Sequence, residues 1–158
     1  MSSLLGGSRE TTLSGMPSVL IWLHVAVAVF TVGPSTALTM SAPRVIRTKN
    51  VAVLQNLQRM NRIYSIGVLG VLLFGIWAGI AIGDGKLGEW YMTASMTLFI
   101  VALVLLFLID RDLRIAVRVL SNETPSDDAK VQNGRIAALS GIVSLIWLVI
   151  LFLMVVPE

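Results

Sequence analysis

The sequence predicts an all-α fold, an integral membrane four-helix bundle. Of its 158 residues, 56% are hydrophobic and 13% are charged, and the mean hydropathy is +0.85, as is typical of membrane proteins. Four apolar runs, residues 18–40, 63–82, 91–109 and 136–156, have about the length of a transmembrane helix. No segment outside these runs can bury a core of its own. Residues 17–158 therefore form a single transmembrane domain.

The first apolar run follows a polar, glycine-rich segment, residues 1–16, which we expect to be a flexible tail outside the cytoplasm. This tail lacks the basic region and cleavage site of a signal peptide. Pro17 opens the first helix. Gly33 and Pro34 interrupt the run, and they predict a kink because proline removes a backbone donor and crowds the preceding turn.

The second helix is predicted to begin well before its apolar run. Val51, Leu54, Leu57 and Met60 recur at every third position, and Asn50 is a favoured residue type for a helix N-cap. The run itself is uncharged and twenty residues long. At about 1.5 Å per residue it spans roughly 30 Å, the thickness of a bilayer's hydrocarbon core.

Small residues mark one face of this second helix. Gly67, Gly75, Gly79 and Gly83 lie four or eight residues apart, with Val71 at the missing step. Membrane helices associate through close backbone approach, which small residues at every fourth position allow. We therefore predict that this face packs against a neighbouring helix.

The third and fourth helices are predicted to extend beyond their apolar runs at one end. Asp110 and Arg114 are four residues apart and predict an ion pair on a helix that continues past the membrane. Thr124, Pro125 and Asp127 match an N-cap, a first-turn proline and an acidic third position, so they predict the start of the fourth helix.

The lysines and arginines predict that both termini lie outside the cytoplasm. The segments after the first and third runs carry five each: Arg44, Arg47, Lys49, Arg59 and Arg62, then Arg111, Arg114, Arg118, Lys130 and Arg135. The opposite side has only Arg9 and Lys86. This bias places the basic segments in the cytoplasm. Anionic membrane lipids are a sufficient partner for these charges, so we expect no nucleic acid.

Few residues within the spans can carry chemistry. Cysteine is absent, histidine occurs once, and no carboxylate lies inside an apolar run, so no set of nucleophile, base and acid can be assembled. We expect the protein not to be an enzyme. No helix has a polar stripe along its full length, so nothing in the sequence indicates ion conduction.

The single histidine and several methionines are the candidate ligands. His24 lies six residues past Ser18, and Met96 lies six residues past Trp90 on a helix that enters from the same side, with Met92 one turn above it. Met16 and Met154 belong to the same half of the membrane. An imidazole with thioethers is a plausible Cu(I) site, since soft ligands select that ion. Alternatively, the methionines fill gaps in packing and His24 hydrogen-bonds a neighbouring helix.

Three stretches, taken together with the basic extension after the third helix, resemble a bacterial family of predicted four-helix integral membrane proteins of unknown function. They are WLHVAVAVFTVG in the first helix, RMNRIYSIGVLGVLLFGIWAG in the second and LFLMVVP at the end of the fourth. That family is similar to the copper-resistance D-type membrane domain, whose first helix also carries Leu-His followed by glycine. The resemblance implies that His24, Gly33, Gly75 and Gly79 occupy family positions. It also implies a multi-pass protein of the bacterial cytoplasmic membrane.

These observations favour an accessory or structural subunit of a larger bacterial membrane complex, or a small homo-oligomer. The alternative is a component of copper or small-solute transport that uses His24 and the methionines. A third possibility is an enzyme of haem or quinone chemistry whose ligands come partly from a partner, because one histidine cannot form a bis-histidine haem site.

Overall fold

The computed structural model describes residues 7–83, 88–122 and 129–155. These residues form four helices and no strand: α1 Gly7–Arg47, α2 Val51–Ile82, α3 Trp90–Ser121 and α4 Lys130–Val155. Each helix includes a span long and apolar enough to cross a membrane. The predicted all-α, four-helix membrane fold is confirmed.

The helices are longer than the apolar runs. The backbone of residues 7–16 belongs to α1, so the predicted tail 1–16 is wrong for these residues, and residues 1–6 lie outside the described part. Once a helix has nucleated, each further residue adds a hydrogen bond without a new nucleation cost, which favours such extension. The helix also continues through Gly33 and Pro34 to Arg47.

Several predicted helix ends can be compared with the structure. Asn50 is the N-cap of α2, and its side chain accepts a hydrogen bond from the Val53 backbone at 3.2 Å, as predicted. α3 continues to Ser121, well past its apolar run. α4 begins at Lys130, and the start predicted at residues 124–127 lies outside the described residues.

The four helices pack as a four-sided bundle of antiparallel neighbours. α1 and α3 each contact both α2 and α4, whereas α1 and α3 barely touch each other across the diagonal. The core is apolar over much of its length. Its largest fully buried members are Ile46, Leu54, Val68, Val71, Leu106, Ile109, Leu113, Ile136 and Val143.

Two ion pairs lie toward the end of the bundle where α1 passes into α2 and α3 into α4, which we call the basic end. Arg114 donates to Asp110 at 2.6 Å within α3, which confirms the predicted pair. Arg135 of α4 lies 3.3 Å from Asp112 of α3. The second pair connects two helices, and its carboxylate is only 1% exposed.

Candidate functional site

A cavity of about 430 Å³ lies between the helices at the opposite end, which we call the cavity end. Residues from all four helices line it, and its walls are mostly apolar. They are Ile21, His24 and Val25 of α1; Leu72, Gly75, Ile76, Ala78 and Gly79 of α2; Tyr91, Met92, Ser95, Met96 and Phe99 of α3; and Met154 of α4. A volume of this size suits a small ligand.

Among the described residues of the cavity wall, His24 is the only ionisable group apart from Tyr91. It lies against Gly75 so closely that a Cβ added there would be 2.9 Å from the ring carbon Cε1. The backbone of Val71 lies beside the ring on the same helix. The Nδ1 atom is buried and has no hydrogen-bond partner among the described residues. The ring thus packs against α2 at the cavity wall, and one of its nitrogens is unpaired among the described residues.

The structure brings all three candidate ligands, His24, Met92 and Met96, to this one cavity. Met92 and Met96 are one turn apart on α3 and both are partly buried. Met154 joins them from α4, and this residue is 49% exposed. The side chain of Met16 lies outside the described part of the chain.

These groups determine which ligands the cavity can accept. One imidazole nitrogen and three thioether sulfurs are soft donors, which favour Cu(I). Among the described residues, the lining of the cavity includes no carboxylate, so these residues offer none of the oxygen ligands that hard divalent cations prefer. Ser95 adds a buried hydroxyl that has no partner in the described structure. The cavity can therefore also orient a small apolar molecule that carries one polar group.

The glycines of α2 have different surroundings. A Cβ on Gly67 would lie 2.7 Å from Cγ2 of Thr31, and Gly75 is similarly close to His24, so both allow close approach of α1. Gly79 lines the cavity. Gly83 differs from the prediction: an added Cβ would meet no atom within 4 Å, and its φ of 72° shows that it ends the helix in the left-handed conformation.

Several buried polar residues were not anticipated from the sequence. Thr31, Ser35 and Thr39 lie four residues apart and give α1 a polar buried face. Asn61 of α2 is fully buried. The spacing of the three hydroxyl residues was visible in the sequence, but hydroxyls that bond their own helix are common in membrane spans and rarely stand out.

Comparison with protein-family models, curated proteins and solved structures found no match for this chain. The fold and cavity alone therefore define its class. It is a multi-pass helical membrane protein with a mostly apolar cavity at one end of its helix bundle.

Proposed function

We propose that this protein binds Cu(I) in the cavity and acts, without enzymatic activity, as a component of copper transport in the bacterial cytoplasmic membrane. The observation that supports the proposal is the presence of His24, Met92, Met96 and Met154 around one cavity. His24 supplies a nitrogen, and the methionines supply thioether sulfurs. Bound copper would supply no reaction in this proposal, because the ion is the cargo.

Copper binding by the full-length protein in mild detergent tests this proposal. We expect about one Cu(I) per chain, measured by elemental analysis. The affinity should be at least about tenfold lower in His24→Ala and Met96→Leu, because even the loss of an outer-shell partner of a metal ligand costs about that much. Met40→Leu is the matched control, since this methionine is exposed on α1 and lies away from the cavity. Absence of copper, or equal affinity in all variants, would overturn the proposal.

A second candidate function is an accessory or structural subunit of a larger membrane complex, or a homo-oligomer. It is favoured by the cavity being partly open, with Met154 on its α4 wall about half exposed. A helix from a neighbouring chain can complete such a wall. The membrane lipids are partners under either function, because the basic end presents arginines suited to anionic headgroups.

Native mass spectrometry after gentle extraction from membranes separates the two candidates. Additional subunits at fixed stoichiometry, without copper, support the accessory function. A single chain or homo-oligomer carrying copper supports the transport function. A copper-free monomer from membranes of copper-supplied cells contradicts both.

A further inference from the structure

A ring of buried polar residues crosses the bundle at a level nearer the basic end. Ser35 and Thr39 of α1, Asn61 of α2, Asp110 of α3 and Ser140 of α4 are each at most 5% exposed. We call these five residues the polar belt. They are separate from the cavity and play no part in the proposed copper site.

The contacts between α1 and α2 place Asn61 between Ser35 and Thr39. His24 lies on Gly75 and Thr31 lies on Gly67, so the two helices run antiparallel in a register that the contacts define. Asn61 lies six residues from Gly67 on α2, and in this register it is level with residues 37 and 38 of α1.

The other two helices bring their polar residues to the same level. The Ser140 hydroxyl lies 2.9 Å from the Thr39 carbonyl oxygen and donates to it. On α3, Phe99 lines the same cavity as Leu72 of α2. Asp110 lies eleven residues from Phe99 along α3, and Asn61 lies eleven residues from Leu72 along α2. Both steps lead toward the basic end, so Asp110 and Asn61 lie at one level. All four helices thus contribute to the belt.

Three members of the belt have polar atoms without partners among the described residues. They are both side-chain atoms of Asn61, the Ser35 hydroxyl and the Oδ1 atom of Asp110. Leaving such groups dry and unpaired in a protein interior is strongly unfavourable. A ligand that bonds to these groups removes the cost.

The chemistry of the belt identifies the ligand. The amide of Asn61 presents one donor group and one acceptor, Asp110 adds an acceptor, and the Ser35 hydroxyl can do either. The charge of Asp110 is already balanced by Arg114 at 2.6 Å, so an added cation would bring uncompensated charge. A neutral molecule that both donates and accepts meets every requirement, and buried water does so in many proteins.

We propose that the polar belt is an internal hydration site that holds ordered water against Asn61, Ser35 and Asp110. Water at the polar belt would shorten the water-free part of the bundle interior to the stretch between the cavity and the belt. From His24 at the cavity to Ser35 is eleven residues, or about 16 Å along α1, compared with about 30 Å for a whole hydrocarbon core.

Water-edited solid-state NMR of the full chain in lipid bilayers tests this proposal directly. We expect polarisation to pass from water to the Asn61 side-chain amide much faster than to the backbone amide of Val68, which is fully buried in the apolar core. Equal and slow transfer at both groups would overturn the proposal.

The sign of a stability change provides a second test. Asn61→Leu keeps a similar size. If the site is dry, the substitution removes an unsatisfied amide and raises the melting temperature. If the site is hydrated, the substitution displaces water from Ser35 and Asp110 and lowers the melting temperature by several degrees. Ser35→Ala should also lower the melting temperature, and it provides the test if Asn61→Leu does not fold. A rise in the melting temperature of either variant would overturn the proposal.

A comparison of salts tests whether the ligand is a cation instead. For the wild-type chain, sodium chloride and choline chloride at equal concentration should give the same melting temperature. A stabilisation by sodium alone that disappears in Ser35→Ala would overturn the assignment of water to the belt.

Discussion

Gly67 and Gly70 lie one turn apart on α2 and have opposite surroundings. A Cβ on Gly67 would be 2.7 Å from Cγ2 of Thr31, whereas a Cβ on Gly70 would meet nothing within 4 Å. Thr31 is β-branched and stiff, so it cannot easily move aside. We predict that Gly67→Ala lowers the free energy of unfolding by about 1–3 kcal/mol, the usual cost of overpacking.

Gly70→Ala is the matched control for that prediction. It adds the same methyl group to the same helix without a contact, so it should leave stability unchanged or raise it by up to about 1 kcal/mol through helix propensity. Thermal unfolding of both variants in one detergent makes the comparison. Similar losses in the two variants would show that α1 does not approach Gly67 closely.

Gly75 provides a residue-scale test of the cavity that leaves every candidate ligand in place. A Cβ there would be 2.9 Å from Cε1 of His24, so the ring must shift. Gly75→Ala should weaken Cu(I) binding at least about tenfold while folding is retained, because ligand position is as important as ligand identity. Gly141→Ala, where an added Cβ meets nothing within 4 Å, is the control in a competition titration. Unchanged affinity in Gly75→Ala would count against His24 as a ligand.

At the scale of the helices, one hydrogen bond ties α4 to α1. The Ser140 hydroxyl approaches both the Thr39 carbonyl, at 2.9 Å, and the Ile136 carbonyl of its own helix, at 2.6 Å. Ser140→Ala should lower stability by about 0.6–1.7 kcal/mol, the range for hydrogen bonds between membrane helices. Ser144→Ala should cost less, because Ser144 bonds only to the Ser140 carbonyl of α4. Unfolding in denaturant would compare the two, and equal losses would contradict the role given to Ser140.

The pair of Arg135 and Asp112 links α3 to α4. Asp112 is buried, and loss of Arg135 would remove the ion pair that its Oδ2 atom makes between the two helices. Arg135→Met should therefore cost about 1–3 kcal/mol, the penalty for an unsatisfied buried group. Arg118→Met should stay within about 0.5 kcal/mol, because Arg118 is exposed and its side chain has no ion pair in the described structure. Asp112→Asn removes the charge that Arg135→Met leaves unpaired, so the double variant should recover stability. If it recovers none, loss of the ion pair does not explain the effect of Arg135→Met.

At the scale of the whole molecule, the distribution of charge predicts the orientation. We expect the basic end in the cytoplasm and both termini outside. The chain has no cysteine, so a single introduced cysteine reports on one position. In intact cells, a membrane-impermeant maleimide should label Gly88→Cys but not Thr48→Cys, and both positions are exposed. The reverse pattern would invert the predicted topology.

Asn61 and Met60 show why the spacing of apolar residues predicted a helix but not its buried face. Apolar residues recur at every third position from Val51 to Met60. On a helix of 3.6 residues per turn, nine residues rotate a side chain by about half a turn, which carries Met60 to the opposite face. The buried line instead steps by three and four residues, through Leu54, Leu57 and Asn61, and leaves Met60 39% exposed.

The sequence by itself determined the fold class, the number of helices and the cap of α2, because length, apolar content and local hydrogen bonding act within each segment. It also predicted the depth of His24, Met92 and Met96, because depth follows from helical rise alone. Only the tertiary structure decided that these residues share a cavity and that Asn61 and Asp110 are buried at one level. Those outcomes depend on the rotation and register of each helix, which are fixed by packing between helices.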